Sequence, residues 1–319
     1  MKAFLTRYTY NTALLSSTLQ EVGIELECRE DDSICPQELV AKKMAEVDAL
    51  LTHTEDDISA SMLASAGSNL KVIANMGIGF SNIDTAAAKA KNIVVTNTPT
   101  EEAFEATAEA TVAMLLAVAR RIPALHVERR GMDQDPSPSF LRPTATSVRN
   151  KTTGIVGMGR IGSRVAKTMA SGFNNQILYF DKYVKQDLEA EIGAKKVDLK
   201  TLMNESDFIC VNAPLNEHTH GLVSAEMISA IKPHATFINT ARGGVIDEVA
   251  LVKRLNEGTL HGAGLDVYSA AVNNITADNI ALTSHFANFE DEAYTAMTML
   301  VAKNVIAVLT NNAAVSPVS

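Results

Sequence analysis

Residues 153–162 read TGIVGMGRIG, and this stretch decides the fold of the chain. Its first four residues are β-branched or small, as in a buried strand, and three glycines follow in the spacing Gly-x-Gly-x-x-Gly. A strand that leads through such glycines into a helix is the start of a βαβ unit whose turn binds phosphate groups. In this motif Gly157 permits the tight turn, Gly159 lets the backbone approach a pyrophosphate, and Gly162 allows the helix to pack on the strand.

The residues after the glycines extend this prediction to a cofactor. Residues 163–170 have a helical pattern, whose N-terminus offers free N–H groups to a phosphate. The next strand ends in Asp181, about 20 residues further on, where a carboxylate binds ribose hydroxyls and repels a 2′-phosphate. The alternative is a glycine turn that binds nothing. We predict NAD rather than NADP, bound by these residues: Gly157, Met158, Gly159, Arg160, Ile161, Gly162 and Asp181.

Apolar runs rich in Val, Ile and Leu alternate with amphipathic stretches of helical length along nearly the whole chain. This alternation predicts an α/β fold with two doubly wound parallel-sheet domains. The first series of predicted strands is Lys2–Leu5, Ile24–Cys28, Asp48–Thr52, Lys71–Asn75 and Ile93–Thr96. The second series is Thr153–Gly157, Gln176–Asp181, Lys195–Val197, Phe208–Asn212, Ala235–Asn239, Gly262–Asp266 and Ala281–Thr283. Long helices are predicted at Ala103–Arg121 and Glu290–Leu309.

Composition excludes several classes of function. The 319 residues are 46% hydrophobic and carry a formal net charge of −9, so we expect no nucleic-acid partner. The longest apolar run, residues 112–119, is far shorter than a membrane helix, and no signal-peptide pattern follows Met1. The three cysteines have no Cys-x-x-Cys spacing. We therefore expect a cytoplasmic chain with reduced thiols, no membrane contact and no metal site.

Four stretches together resemble the D-isomer-specific 2-hydroxyacid dehydrogenase family. One is the glycine motif with Asp181. The others are GIGFSNID at 77–84, NTARGGVIDE at 239–248, and GLDV at 264–267 followed by LTSH at 282–285. The resemblance spans nearly the whole chain, and it implies hydride transfer between NAD(P)H and the carbonyl of a small 2-oxo acid.

The same resemblance implies a domain plan. A split, flavodoxin-like substrate domain would consist of residues 1–98 plus 286–319, and a Rossmann NAD domain of residues 99–285. An arm near residues 103–145 would join two copies into a homodimer.

Arg242 is the first candidate for binding a substrate. It follows an apolar strand and precedes two glycines, so we place it on a loop at the carboxyl edge of the sheet, where α/β folds bind ligands. A guanidinium there suits a carboxylate bidentately; the alternative is a structural ion pair with Asp247 or Glu248. The resemblance adds that Arg242 polarises the 2-oxo group. It also implies that backbone N–H groups at Asn75, Met76 and Gly77 bind the carboxylate, unless this is an ordinary strand-to-helix turn.

His285 matches the general acid/base of the family, because an imidazole can protonate the oxygen as the hydride arrives. A histidine packed in the core is the alternative. The resemblance also places Thr240 and Asp266 at the cofactor, Asp266 beside the nicotinamide carboxamide, although an aspartate at a sheet end can simply cap a loop.

One departure from the family bears on catalysis. The family carries a Glu five residues after the Asp of its LDV motif, next to the histidine, and here that position is Ala271. Formate-type relatives have Gln there, which this chain also lacks. Asp278, Glu290 or Asp291 could substitute for the missing acid. The alternative function is a catalytically weak or silent NAD-binding sensor.

Overall fold

The computed structural model describes residues 1–130 and 144–318. The chain divides into two units. Unit 1 consists of residues 1–104 and 289–319, and unit 2 consists of residues 105–288. Unit 1 is therefore assembled from the two ends of the chain.

Unit 1 is a parallel sheet covered by helices. Its five strands lie in the order β2-β1-β3-β4-β5, the flavodoxin-like arrangement. The elements are β1 (Lys2–Leu5), α1 (Thr12–Gln20), β2 (Glu25–Cys28), α2 (Gln37–Glu46), β3 (Ala49–His53), α3 (Ala60–Leu63), β4 (Val72–Met76), α4 (Thr85–Ala90) and β5 (Val94–Thr96). The central strands β3 and β4 are buried at every residue, as expected where helices cover both faces of a sheet.

The last helix of the chain, α12 (Asp291–Leu309), belongs to unit 1. By length and composition it could cross a membrane. However, its Met297, Val301 and Val305 are buried, and the helix packs against α1 and β4. Since a core helix of an α/β unit passes the same test, the apolar character of α12 gives no evidence for a membrane span.

Unit 2 is a larger parallel sheet, with seven strands in the order β12-β11-β10-β9-β6-β7-β8. After α5 (Glu101–Ala119) and α6 (Ile122–Arg130), its elements are β6 (Thr152–Val156), α7 (Arg160–Phe173), β7 (Gln176–Phe180), α8 (Gln186–Ile192), β8 (Lys195–Lys196), α9 (Leu199–Glu205), β9 (Phe208–Val211), α10 (Ala225–Ser229), β10 (Thr236–Asn239), α11 (Glu248–Asn256), β11 (Gly262–Leu265) and β12 (Ile280–Leu282). The strand order reverses between β6 and β9, which is where open α/β sheets bind ligands. The predicted fold class, two doubly wound parallel-sheet domains, is confirmed.

The long helix predicted over Ala103–Arg121 is wrong at its end. The chain forms two helices, α5 and α6, whose axes are bent by 63°. Arg121 lies between them with a φ of +55°. The cause is Pro123, since a proline inside one continuous helix would clash with the carbonyl four residues earlier. The predicted arm near 103–145 includes residues 131–143, which lie outside the described residues.

Candidate active site

The glycine loop of unit 2 lies at the point where the strand order reverses. Gly157 has a φ of +93°, and a Cβ on it would approach the backbone nitrogen of Ala213 to 2.7 Å. Only glycine therefore fits between β6 and the residue that follows β9. A Cβ on Gly162 would lie 2.9 Å from the Cγ2 of Ile155, so α7 packs directly on β6. Both features agree with the roles predicted from the sequence.

The N-terminus of α7 is open to a ligand. Gly159 is its N-cap residue and provides no side-chain cap, and a Cβ there would meet nothing within 4 Å. A cavity of about 650 Å³ opens on this side, lined in part by Arg160, Ser163 and Lys185. The N–H groups of the first turn and the positive end of the helix dipole suit a pyrophosphate. The residues present therefore fit a dinucleotide.

Asp181 connects the end of β7 to the glycine loop. One carboxylate oxygen accepts the N–H of Met158 at 2.9 Å, and the other accepts the N–H of Tyr183 at 3.0 Å. The Nζ atom of Lys185 lies 3.8 Å from the carboxylate. Asp181 thus holds the loop in shape, and a negative charge lies beside the predicted ribose position.

Thr240, predicted to contact the cofactor, belongs to a buried hydrogen-bond network in unit 2. Its hydroxyl lies 2.7 Å from the hydroxyl of Thr111 and accepts the side-chain N–H of Asn212 at 3.2 Å. Thr111 in turn donates to the carbonyl of Thr107 at 2.7 Å. The network ties the ends of β9 and β10 to α5.

Arg242 lies on a loop that is fixed from the end of β10. The fully buried Asn239 donates from its side chain to the carbonyl of Arg242 at 3.1 Å and accepts the N–H of Ala241 at 3.0 Å. The guanidinium of the half-buried Arg242 donates to the carbonyl of Ala241 at 2.6 Å. The loop backbone is therefore rigidly placed before any substrate binds.

His285 lies in a turn that Asp266 organises. Asp266 is 1% exposed, and its carboxylate accepts the hydroxyl of Thr283 at 2.6 Å, the N–H of Phe286 at 2.7 Å and the N–H of Ala287 at 3.1 Å. His285 itself has a φ of +55°, in the left-handed region. The aspartate predicted at the cofactor thus also shapes the turn that carries the histidine.

The loop after β4 in unit 1 differs from the expectation in which of its backbone N–H groups are available to a substrate. Asn75, Met76 and Gly77 are buried, and the N–H of Gly77 donates to the hydroxyl of Thr98 at 2.8 Å, so it is not available to a substrate. The next two backbone N–H groups, of Ile78 and Gly79, are half-buried and make no hydrogen bond within the described part of the chain. The candidate carboxylate donors are therefore Ile78 and Gly79, the next two residues of the loop.

The Asn75 side chain supports this loop. Its amide donates to the carbonyl of Gly79 at 2.8 Å, and its oxygen accepts the hydroxyl of Thr52 at 2.9 Å and the amide of Asn82 at 3.3 Å. Asn82 also donates to the carbonyl of His53 at 3.0 Å. Residues of β3, β4 and the loop are thus joined in one polar network.

His53 is buried at the end of β3 next to the equally buried Asp56. Burial lowers the pKa of His53 to about 4, although the Asp56 carboxylate acts in the opposite direction. The carboxylate of Asp56 accepts the N–H of His53 at 2.8 Å and the hydroxyl of Thr6 at 2.6 Å. At neutral pH His53 is therefore an uncharged member of the network.

Ala271, at the position of the family's glutamate, lies in a short 3-10 helix at Ala270–Asn274. One of the possible substitutes, Asp278, is engaged elsewhere in unit 2. Both of its carboxylate oxygens accept from the Nη2 atom of Arg121, at 2.9 and 3.0 Å. This ion pair directs Asp278 toward the break between α5 and α6.

Comparison of the sequence with models of known protein families decides which family the chain belongs to. The model for the NAD binding domain of D-isomer specific 2-hydroxyacid dehydrogenases matches residues 112–287, more than half of the chain. The chain belongs to the D-isomer-specific 2-hydroxyacid dehydrogenase family. The predicted cofactor, NAD, is confirmed, and so is the predicted enzyme class, an NAD-dependent oxidoreductase acting on 2-hydroxy acids.

Relatives of this 2-hydroxyacid dehydrogenase agree with the assignment over the full length. A glyoxylate reductase of Thermococcus litoralis is 38% identical over 96% of this chain and 93% of the relative. The TT0316 protein of Thermus thermophilus superimposes with a TM-score of 0.88 at 32% identity, over 100% of both chains. D-lactate dehydrogenase of Aquifex aeolicus, solved with NAD and lactic acid, gives a TM-score of 0.84 at 27% identity over 98% of this chain and 96% of that one.

Sequence reasoning missed several residues of the site. The sequence does not show that Thr98 accepts the N–H of Gly77, and for this reason the candidate donors Ile78 and Gly79 were not singled out. Asn239 lies within the quoted family stretch, yet nothing local indicates that its side chain holds Arg242.

Proposed function

We propose that this 2-hydroxyacid dehydrogenase reduces a small 2-oxo acid of the glyoxylate class with NADH. The observation that carries the proposal is the placement of Arg242 and His285, which follow β10 and β12 on either side of β11. Because neighbouring strands lie about 4.8 Å apart, the two strand ends are about 10 Å apart. A two- or three-carbon acid that lies between these strand ends is short enough to contact the side chains of both Arg242 and His285.

The proposed roles follow from the chemistry of the side chains. The guanidinium of Arg242 binds the substrate carboxylate through two parallel hydrogen bonds and polarises the 2-oxo group. When bound, NADH would supply the hydride that adds to C2. His285 gives a proton to the carbonyl oxygen, so that the product is the 2-hydroxy acid.

Further residues are proposed to position the two ligands. Within unit 1, the N–H groups of Ile78 and Gly79, on the loop supported by Asn75, Met76 and Gly77, are the proposed donors to a carboxylate. The glycine loop and α7 hold the pyrophosphate, and Asp181 binds the adenosine ribose. Thr240 and Asp266 are proposed to lie at the nicotinamide end.

The test is an NADH oxidation assay with glyoxylate, hydroxypyruvate and pyruvate, combined with fluorescence titration of NADH. We expect NADH to bind and glyoxylate to be reduced fastest. Ala271, where the family has its glutamate, favours the second candidate, an NAD-binding sensor. Binding of NADH with turnover of none of the three acids would support the sensor and contradict the reductase.

We also propose a homodimer formed through α5 and α6. The support is the surface of α6, where the apolar side chains of Ile122, Leu125 and Val127 are 55%, 39% and 71% exposed. Burying such residues against a second copy is favourable. Light scattering at micromolar concentration should give twice the mass of one chain, and a monomer would contradict the proposal.

A further inference from the structure

A buried acid at the start of α11 joins two loops of unit 2. Glu248 is the first residue of that helix and is only 7% exposed. Its carboxylate accepts the backbone N–H of Ser269, at 2.8 and 3.1 Å from its two oxygens, and also the Ser269 hydroxyl. The carboxylate is therefore fully engaged with a residue that lies 21 positions further along the chain.

The same carboxylate lies directly against the loop that carries Arg242. A Cβ on Gly243 would lie 2.6 Å from the Oε1 atom of Glu248 and 3.3 Å from the Cα atom of Tyr268. Glycine at 243 thus allows the backbone next to Arg242 to rest on Glu248. A longer side chain at 243 would force the two apart.

Backbone hydrogen bonds also hold this loop. The N–H of Gly221 donates to the carbonyl of Gly244 at 2.9 Å, and the N–H of Val223 donates to the carbonyl of Val245 at 3.0 Å. Together with the Glu248 contact at Gly243, these bonds form a clamp on the segment that follows Arg242. The backbone position of Arg242 then depends in part on that carboxylate.

Ser269 extends the connection to the turn that contains Ala271. Its hydroxyl caps the 3-10 helix by accepting the N–H of Ala271 at 3.3 Å while it donates to Glu248. A hydroxyl can do both because it has one donor and two acceptor sites. Glu248, Ser269 and Ala271 therefore form one continuous hydrogen-bonded series.

We propose that Glu248 is a positioning residue, which sets the backbone of Arg242 for substrate binding and at the same time fixes the 268–271 loop. The proposal rests on the proposed function of Arg242 as the carboxylate ligand. Without the Glu248 carboxylate, Ser269 loses its acceptor, and the Arg242 loop keeps the Asn239 side chain and the backbone bonds from Gly221 and Val223 but loses its contact at Gly243. A small displacement of a substrate-binding group is enough to reduce turnover strongly.

The experiment compares the wild type with Glu248→Ala, Glu248→Gln and Ser269→Ala, with Glu226→Ala as the matched control. Glu226 also lies in the first turn of a helix, but it is exposed and pairs with Lys200 at 2.9 Å. We expect Glu248→Ala to lower kcat/KM for the 2-oxo acid by about 10- to 100-fold, mainly through KM. The affinity for NADH should stay unchanged.

The other variants separate positioning from folding. Glu248→Gln keeps an oxygen that can accept the Ser269 N–H and should recover part of the activity, and Ser269→Ala should lose less than Glu248→Ala. Glu226→Ala should behave as the wild type. If Glu248→Ala does not fold, the KM values of Glu248→Gln, Ser269→Ala and the wild type test the proposal. Equal KM values in all three overturn it.

Hydrogen–deuterium exchange distinguishes this proposal from the proposed function. Substitution of Glu248 should speed exchange in both peptides, 241–246 and 267–272, and leave the glycine loop at 157–162 unchanged. That result supports the clamp even if the wild type reduces none of the 2-oxo acids, which would contradict only the function. Unchanged exchange in either peptide overturns the clamp, whatever the activity.

Discussion

The backbone N–H of His285 donates to the carbonyl of Asp266 at 2.8 Å, which fixes the histidine to the end of β11. The bond holds His285 in a left-handed conformation that costs a non-glycine residue about 1 kcal/mol or more. The three hydrogen bonds that the Asp266 carboxylate accepts from the same turn offset this cost. Asp266 thus helps to fix the backbone of the turn that carries His285.

Replacing Asp266 with Asn should loosen the His285 turn. An amide has one acceptor oxygen, so its NH2 group would face an N–H of Phe286 or Ala287 that now has no partner. We expect the free energy of unfolding to fall by about 1–3 kcal/mol, together with a loss of turnover. Urea denaturation measures the first effect. The milder Thr283→Val removes one donor only and should cost less, and equal losses in the two variants would argue against this account.

Arg242→Lys should remove most of the activity, by about tenfold or more, because lysine cannot form a planar two-point contact with a carboxylate. Its affinity for NADH should be nearly intact. Steady-state kinetics and fluorescence titration separate the two effects. Near-normal turnover in this variant would contradict the substrate-binding role of Arg242 and indicate a structural role.

Gly159→Ala tests the phosphate site without disturbing the fold. A Cβ at this position meets no atom of residues 1–130 or 144–318 within 4 Å, so stability should not fall. The added methyl would occupy the space predicted for the pyrophosphate, and we expect NADH to bind about tenfold more weakly. The matched control is Gly172→Ala, at an equally open position in the last turn of α7. There the substitution should not lower the free energy of unfolding, and the NADH affinity should be unchanged.

The charge of Asp181 should set the preference for NADH over NADPH. Asp181→Asn keeps one oxygen that can accept the N–H of Met158, and its NH2 group would then face the N–H of the exposed Tyr183, which can donate to water instead. The glycine loop should therefore keep its shape. Loss of the negative charge beside the ribose should improve the affinity for NADPH relative to NADH by about tenfold. Titration with both dinucleotides measures this ratio. A wild type that already binds both equally would show that Asp181 does not discriminate.

Stability should fall as the pH decreases from about 6.5 to about 4 because of His53. Its pKa in the folded chain, about 4, lies below the usual value of 6.5, since burial disfavours the charged imidazolium. The unfolded chain therefore binds a proton first, so the stability present above pH 6.5 is lost across this interval, by about 3 kcal/mol. His53→Asn should flatten the pH dependence of the unfolding free energy by that amount.

A second histidine with a lowered pKa, His261, does not affect this comparison. Burial also lowers its pKa, so it contributes a loss of the same sign. Because His261 is present in the wild type and in His53→Asn alike, its contribution cancels in the comparison. Identical pH profiles for the two proteins would mean that His53 carries no share of the effect.

Local sequence patterns determined the elements and the class of the fold. The strands lie within one or two residues of their predicted bounds, because most of them are short apolar runs of the kind found in parallel sheets covered on both faces. The glycine motif could also be predicted from the sequence. Its turn and its close contacts form mainly between a strand and a helix that directly follow one another in the chain. Even the break before α6 has a local cause in Pro123.

Tertiary structure decided which polar groups meet. The Glu248 carboxylate reaches Ser269, and the Thr98 hydroxyl takes the N–H of Gly77, across 21 residues in each pair. Nothing in the local sequence specifies these bonds, because they depend on the distance and register at which separate elements pack. A buried donor or acceptor must find a partner wherever the packing places one. For this reason the sequence identified Arg242 and His285 as candidates, while the residues that hold them became visible only in the folded chain.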